Sequence, residues 1–186
     1  MTVTQERRVT GAEFARLVER NALHQRMVTA GDRLPIEPLV EVDLGPIHLD
    51  RLLRTGPVVL LFIRHAGSSA CGAALTAYRT GLAPSLAARD AHLVAVSPQA
   101  PRRLAALKHR YDFDFLVASD PRHRLIDALN IGFAAPGADI QLGTRRNVLP
   151  FAAAIVADRA GVVRFADVRP DWSTPIAPDR IVAALA

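Results

Sequence analysis

The chain has 186 residues, half of them hydrophobic and 22% charged, which is the size and balance of one globular domain with a sizeable core. Its net charge of +5 is carried almost wholly by arginine, Lys108 being the only lysine. The densest basic clusters, Arg102-Arg103 and Arg145-Arg146, are pairs without interleaved aromatics, which argues against nucleic acid as a partner. No apolar run approaches the ~18 residues of a membrane span, and the opening MTVTQERRVT lacks the apolar core of a signal peptide. The expectation is a cytoplasmic protein with no membrane partner, and a single cysteine suits that compartment.

Residues 1–30 read as an N-terminal helical extension. Phe14, Leu17, Val18, Leu23 and Val28 mark one apolar stripe, Thr10 is a candidate cap, and the helix is expected to end near Gly31. Residues 31–186 form the main domain. Between 31 and 56, Pro35, Pro38 and Pro46 exclude a long helix. Leu39, Val40 and Val42 suggest an edge strand, Asp43-Leu44-Gly45 a hairpin turn, and Leu49 to Leu53 a short helix.

Pro57 to Ile63 is an apolar run without alternation, as in a strand buried on both faces. A short polar loop, Arg64 to Ala70, follows. Cys71, Ala74, Leu75, Tyr78, Leu82 and Leu86 then share one helical stripe, and His92 to Val96 is a second buried strand. This is a β-α-β unit, and the chain's only cysteine stands where its first strand hands over to its helix. In open α/β sheets, ligands and reactive groups gather at that edge.

Pro101 to Tyr111 predicts a further helix with Leu104 and Leu107 inward. Phe115 to Ala118 predicts a short strand, and Arg122 to Leu129 a short helix after the Ser119-Asp120-Pro121 turn. Residues 132–148 show no period and read as a long loop. Ala152 to Ala157 and Val162 to Val168 predict a hairpin about Gly161, Pro170 to Pro178 a loop carrying Trp172, and Asp179 to Leu185 a closing helix. The order, β-α-β first and β-β-α last, predicts an α/β protein of thioredoxin-like fold: a central mixed sheet with helices on both faces and an extra helix in front. The apolar face of the first helix and the arms around Trp172 make a homodimer the expectation.

The segments GDRLPIEPLVEVDLG, VVLLFIRHAGSSACGAAL, HLVAVSPQ, VASDPRHRLIDALNI and LPFAAAIVADRAGVVRFADVRPDW, in that order, resemble the alkyl hydroperoxide reductase/thiol-specific antioxidant family, the peroxiredoxin-like branch of the thioredoxin superfamily. The resemblance spans roughly residues 31–186. Close relatives in this branch carry C-x-x-C in the loop before the helix; here it is Ser68-Ser69-Ala70-Cys71. True peroxiredoxins place a threonine or serine three residues before the peroxide-attacking cysteine. The resemblance therefore implies Cys71 as attacking thiol and Ser68 as its hydroxyl partner. Arg64 stands where the family has a proline. Ala152 stands where relatives have a cis-proline or an arginine.

A thiol attacks as its thiolate. Cys71 in the first turn of a helix is favoured as thiolate by the unpaired N–H groups there, and Arg64 and His65 add positive charge in the same loop. These features predict a lowered pKa. The opposing reading is that Cys71, on an apolar stripe, is a buried core residue. The catalytic candidates are Cys71, Ser68 and Arg64, and His65, Ser69, Arg146 and Ala152 are pocket candidates. The histidines at 24, 48, 65, 92, 109 and 123 show no metal-ligand spacing, and neither a phosphate loop nor a nucleophile elbow is present, so neither metal nor cofactor is expected. Three functions stay open. One is reduction of a peroxide by a single cysteine, with an external thiol as reductant. The others are a binding or scaffold role without peroxidase activity, and an enzyme repurposed for a small organic substrate with 132–148 as its lid.

Overall fold

The computed structural model describes residues 12, 15, 16, 27–169 and 175–185. Phe14, Leu17, Val18, Leu23, Thr10 and Trp172 lie outside them. Val28 is buried against the body of the domain and donates its N–H to the Leu129 carbonyl at 3.1 Å.

The domain is built on a seven-stranded sheet in the order β2-β1-β5-β4-β3-β8-β9. In chain order these strands are β1 (Pro38–Glu41), β2 (Gly45–His48), β3 (Val58–Phe62), β4 (His92–Ser97), β5 (Leu116–Ser119), β8 (Ala152–Ala157) and β9 (Val163–Arg169). Strands β3, β4 and β5 are parallel, and every other pairing in the sheet is antiparallel. Every residue of β3 is fully buried. Val59 and Leu61 face one apolar cluster, while Val58, Leu60 and Phe62 face the other. A run without alternation is what a strand covered on both sides requires.

Helices α2 (Ser69–Gly81), α3 (Ala83–Ala87), α4 (Pro101–Tyr111) and α7 (Pro178–Ala183) contribute to the first cluster. Helices α1 (Leu49–Thr55) and α5 (Arg124–Ala128) contribute to the second. The predicted mixed sheet with helices on both faces is therefore the fold observed.

Four local expectations are corrected. The Leu39 strand is not an edge: β1 pairs with β5 on one side, and β2 takes the edge. The stripe from Cys71 to Leu86 runs over two helices, broken at Leu82, because Pro84 enters the first turn of α3 and has no N–H to continue α2. Residues 132–148 are not a structureless loop. They hold β6 (Gly132–Ala134) and α6 (Ala138–Leu142) and run into β7 (Val148–Pro150), which pairs with β6. Phe133 and Phe151 stack at 4.6 Å and, with Leu142 and Leu149, give that segment its own small core. Finally, Met27 to Gly31 is not helical.

Candidate functional site

Strand β3 delivers the chain to the site. The Ile63 N–H bonds the Val96 carbonyl at 2.9 Å, so the strand stays pinned to β4 for one residue beyond its end. The chain then turns through Arg64–Gly67 into α2. Ser68 caps that helix from an extended conformation, accepting the Cys71 backbone N–H on its Oγ at 3.2 Å. The side chain thereby satisfies one of the helix's orphan donors. Cys71 is the third residue of α2 and is 0% exposed.

Three donors and a cation act on the Cys71 thiol. The Ser68 hydroxyl, the backbone N–H groups of Arg64 and His65, and the Arg64 guanidinium all act to lower its pKa. Each favours the thiolate. Burial nonetheless outweighs them and pushes the Cys71 thiol up. The lowered pKa predicted from the helix end and the arginine is thus overturned in direction, because desolvating an anion at a site with no water contact is the larger effect.

The remaining sequence candidates are placed as follows. The imidazole of half-buried His65 lies beside Gly67, where a Cβ would stand 3.3 Å from Nδ1. Ser69, the first residue of α2, is exposed. The Arg146 guanidinium is held on the Asp127 carboxylate at 2.5 and 3.0 Å and on the Arg122 carbonyl at 3.2 Å. Ala152 begins β8, buried in the same apolar cluster as Cys71. Directly across from it in register stands Arg169, whose guanidinium clasps Asp167 at 3.0 and 2.9 Å. The structure therefore gathers Cys71, Ser68, Arg64 and His65 into one turn, and commits Arg146 to Asp127.

Sequence reasoning passed over three residues beneath that turn. Ser97 ends β4, Ser119 ends β5 opposite it, and Gln99 follows two residues on. All three are buried. Polar residues closing otherwise apolar strands are the signal that marks them, since strand carboxyl ends are where an α/β sheet places its chemistry. Among the described residues, no group of three or more His, Cys, Asp or Glu side chains is placed to hold a metal ion. No helix among them is long and apolar enough to cross a membrane.

Solved structures similar to the chain share this architecture. A peroxidoxin, BcpB, from Mycobacterium tuberculosis superposes with a TM-score of 0.72 at 22% identity, covering 85% of this chain and 96% of that one. Reduced Prx3 from Vibrio vulnificus, solved in complex with hydrogen peroxide, gives 0.70 at 21% identity, covering 86% and 100%. A yeast mitochondrial 1-Cys peroxiredoxin gives 0.65 at 16% identity, covering 84% and 74%. No curated protein matches the chain. The model of the AhpC/TSA family matches residues 30–166, which hold the whole sheet but the end of its last strand, together with the turn that carries Cys71, and the chain belongs to that family.

Proposed function

We propose that the chain is a thiol peroxidase that works through Cys71 alone. One observation carries this reading. The only cysteine of an AhpC/TSA-family chain sits in the first turn of a helix at the carboxyl end of β3, where the Ser68 hydroxyl and the Arg64 and His65 N–H groups favour its thiolate. Donors fixed in place before reaction stabilise charge without reorganising, and here they favour the thiolate.

In the proposed step, Sγ attacks the terminal oxygen of a hydroperoxide. The S–O bond forms, the O–O bond breaks, and the alkoxide leaves as the alcohol with the proton given up by the thiol. Sulfur is oxidised by two electrons to the sulfenic acid. The chain has no second cysteine, so an outside thiol must return it. One thiol displaces water to give a mixed disulfide, and a second releases Cys71 and a new disulfide. The yeast 1-Cys relative is described as resolved by glutathione and thioredoxin systems, which supports an external reductant here. Ser68 and Arg64 are assigned to stabilising the thiolate and the oxygen being transferred. His65, Ser69 and Ala152 are assigned to the wall of the approach, and Arg146, held on Asp127, to the segment beyond it.

The test is peroxide consumption in the presence of a dithiol reductant, with a 1,3-dione to trap the sulfenic acid. The wild-type chain consumes peroxide and forms the adduct, and Cys71→Ser does neither while melting at the same temperature. A wild-type Cys71 that reacts with no thiol reagent until the chain is denatured overturns the proposal.

The proposal extends to a cytoplasmic setting, to a division into residues 1–30 and 31–186, and to a homodimer. The apolar positions of the N-terminal stretch support the dimer, twofold pairing being the commonest closed association. Light scattering that finds only monomer at micromolar concentration rejects it.

A further inference from the structure

The turn that carries the sulfur's donors is clamped from below. Two successive peptide groups, Arg64–His65 and His65–Ala66, make it up. In a trans peptide the C=O and N–H point to opposite sides. The Arg64 carbonyl accepts the Ser97 hydroxyl at 3.1 Å, so the N–H of the same peptide, belonging to His65, points away from Ser97, and it favours the Cys71 thiolate. The next peptide runs the other way. The Ala66 N–H donates to Gln99 Oε1 at 2.7 Å, while the His65 carbonyl accepts the Ser68 N–H at 3.1 Å. The first peptide is therefore gripped by the end of β4, and the second by Gln99 just beyond it on one side and by the cap of α2 on the other.

The grip is itself built into the sheet. The Gln99 N–H donates to Ser97 Oγ at 3.3 Å, the Ser119 hydroxyl bonds the Gln99 carbonyl, and Gln99 Nε2 donates to the Gln141 carbonyl in α6 at 2.8 Å. Ser97 and Gln99 are 1% and 4% exposed, so no water replaces a lost partner. A buried group stripped of its partner keeps the full desolvation cost. Aligned hydrogen bonds of this kind also polarise one another, and here the line runs from Gln99 through Ser97 to the Arg64–His65 peptide.

We propose that Ser97 is a positioning residue for Cys71: its hydroxyl, oriented by Gln99, holds the Arg64–His65 peptide so that the His65 N–H is presented to the sulfur. Ser97 touches neither sulfur nor substrate. It acts through a peptide group, and the proposal rests on Cys71 being the reacting atom.

The sign of the effect separates this role from a merely structural one. If Ser97 only helped hold the fold together, its loss would loosen the turn and let a thiol reagent reach a buried cysteine faster. If Ser97 sets a thiolate donor, its loss makes the thiolate rarer and the reagent slower. The experiment compares the wild type with Ser97→Ala and Ser97→Thr, following alkylation of Cys71 by iodoacetamide and consumption of hydrogen peroxide, each against pH. In Ser97→Ala both rates fall about fivefold near neutrality, the size of one net hydrogen bond. The deficit closes at alkaline pH, where all the thiol is ionised, and Ser97→Thr, which keeps the hydroxyl, restores both. Alkylation of Ser97→Ala at the wild-type rate or faster overturns the proposal and leaves the peroxidase reading standing. A pH-dependent alkylation deficit in a chain that consumes no peroxide instead overturns the peroxidase reading while upholding the placement of the sulfur's donor.

Discussion

The Ser68 hydroxyl oxygen lies 3.2 Å from the Cys71 backbone nitrogen, whose N–H it accepts, and the same hydroxyl favours the Cys71 thiolate, so one side chain serves both the helix and the thiol. Ser68→Ala removes both contacts. The lost cap costs about 1 kcal/mol of stability. The lost bond to a charged acceptor slows peroxide consumption about tenfold near neutrality. Thermal melts and a peroxide assay read the two effects separately. A variant that melts lower yet turns over at the wild-type rate would leave Ser68 a cap only.

Cys71 also imposes an alkaline limit on stability. Burial raises its pKa above the ordinary value of 9.0, so the unfolded chain loses this proton at lower pH than the folded one. Its contribution is fully present below the unfolded pKa and is lost as pH rises from there towards the folded value. Tyr78, pushed up to about 12 by burial, has the same sign and acts at higher pH. Denaturant unfolding measured from neutral to alkaline pH should fall less steeply for Cys71→Ser than for the wild type, with the slope due to Tyr78 remaining.

Glu41 is a buried carboxylate that holds a hairpin, a strand and a helix together. It accepts the backbone N–H groups of Asp43, Leu44 and Val117 at 2.7, 2.8 and 3.2 Å, and the Lys108 ammonium at 2.8 Å. Burial opposes its ionisation, but Lys108 and those backbone donors outweigh it and hold the carboxyl below its ordinary 4.5. Its stabilisation is therefore present above pH 4.5 and is lost as pH falls through the folded value. Lys108→Met leaves the charge with backbone donors only and costs about 2 kcal/mol, somewhat less than breaking a pair with no other support. The variant's acid limb should be shallower than the wild type's in unfolding experiments below that pH.

His123 acts on the acid side as well. Its ring is buried, with Nε2–H donated to the Val148 carbonyl at 3.1 Å and Nδ1 without a hydrogen-bond partner. Burial pushes its pKa below 6.5, and the nearby Arg146 adds to this, against the Val148 carbonyl and the carboxylates of Asp120 and Asp127. The unfolded chain then takes up the proton first, and stability declines as pH falls from 6.5 towards the folded value. Asparagine suits the left-handed backbone at φ 57°. His123→Asn should melt at a temperature that no longer depends on pH through this histidine in that window.

Gly56→Ala tests the approach to β3. A Cβ at this position would stand 1.7 Å from the Asp90 carbonyl oxygen. The obstacle is contact and not conformation, since φ is −174° and any residue adopts it. A backbone atom cannot swing aside, so the substitution costs about 3 kcal/mol, at the upper end for overpacking. Chemical denaturation with an unchanged slope would measure it. A loss under 1 kcal/mol would mean that the turn before His92 yields.

Much of this molecule can be read from its residues alone. The unbroken apolar run ending at Ile63 marks an interior strand, because only a strand covered on both faces has no polar side to show. The Asp158–Gly161 turn announces its hairpin through local chemistry: Asp158 Oδ1 accepts the N–H groups of Ala160 and Val162 at 2.9 and 3.0 Å, and Gly161 takes φ 74°. The cysteine at the strand-to-helix handover and the serine three residues before it are likewise matters of order along the chain.

What the sequence could not show depends on residues far apart in it. Residues 132–148 gain their structure from Phe133 stacking on Phe151, a pairing no local period reports. Gly56 looks dispensable until Asp90 is set against it. Ser97 and Gln99 lie about thirty residues from the turn they hold, and meet it only because β3 and β4 pair in parallel register. The state of Cys71 belongs to this second kind. Its helix end and neighbouring arginine are legible in the sequence and favour the thiolate. The opposing desolvation is a sum over everything packed around the sulfur, so only the assembled core decides that it prevails.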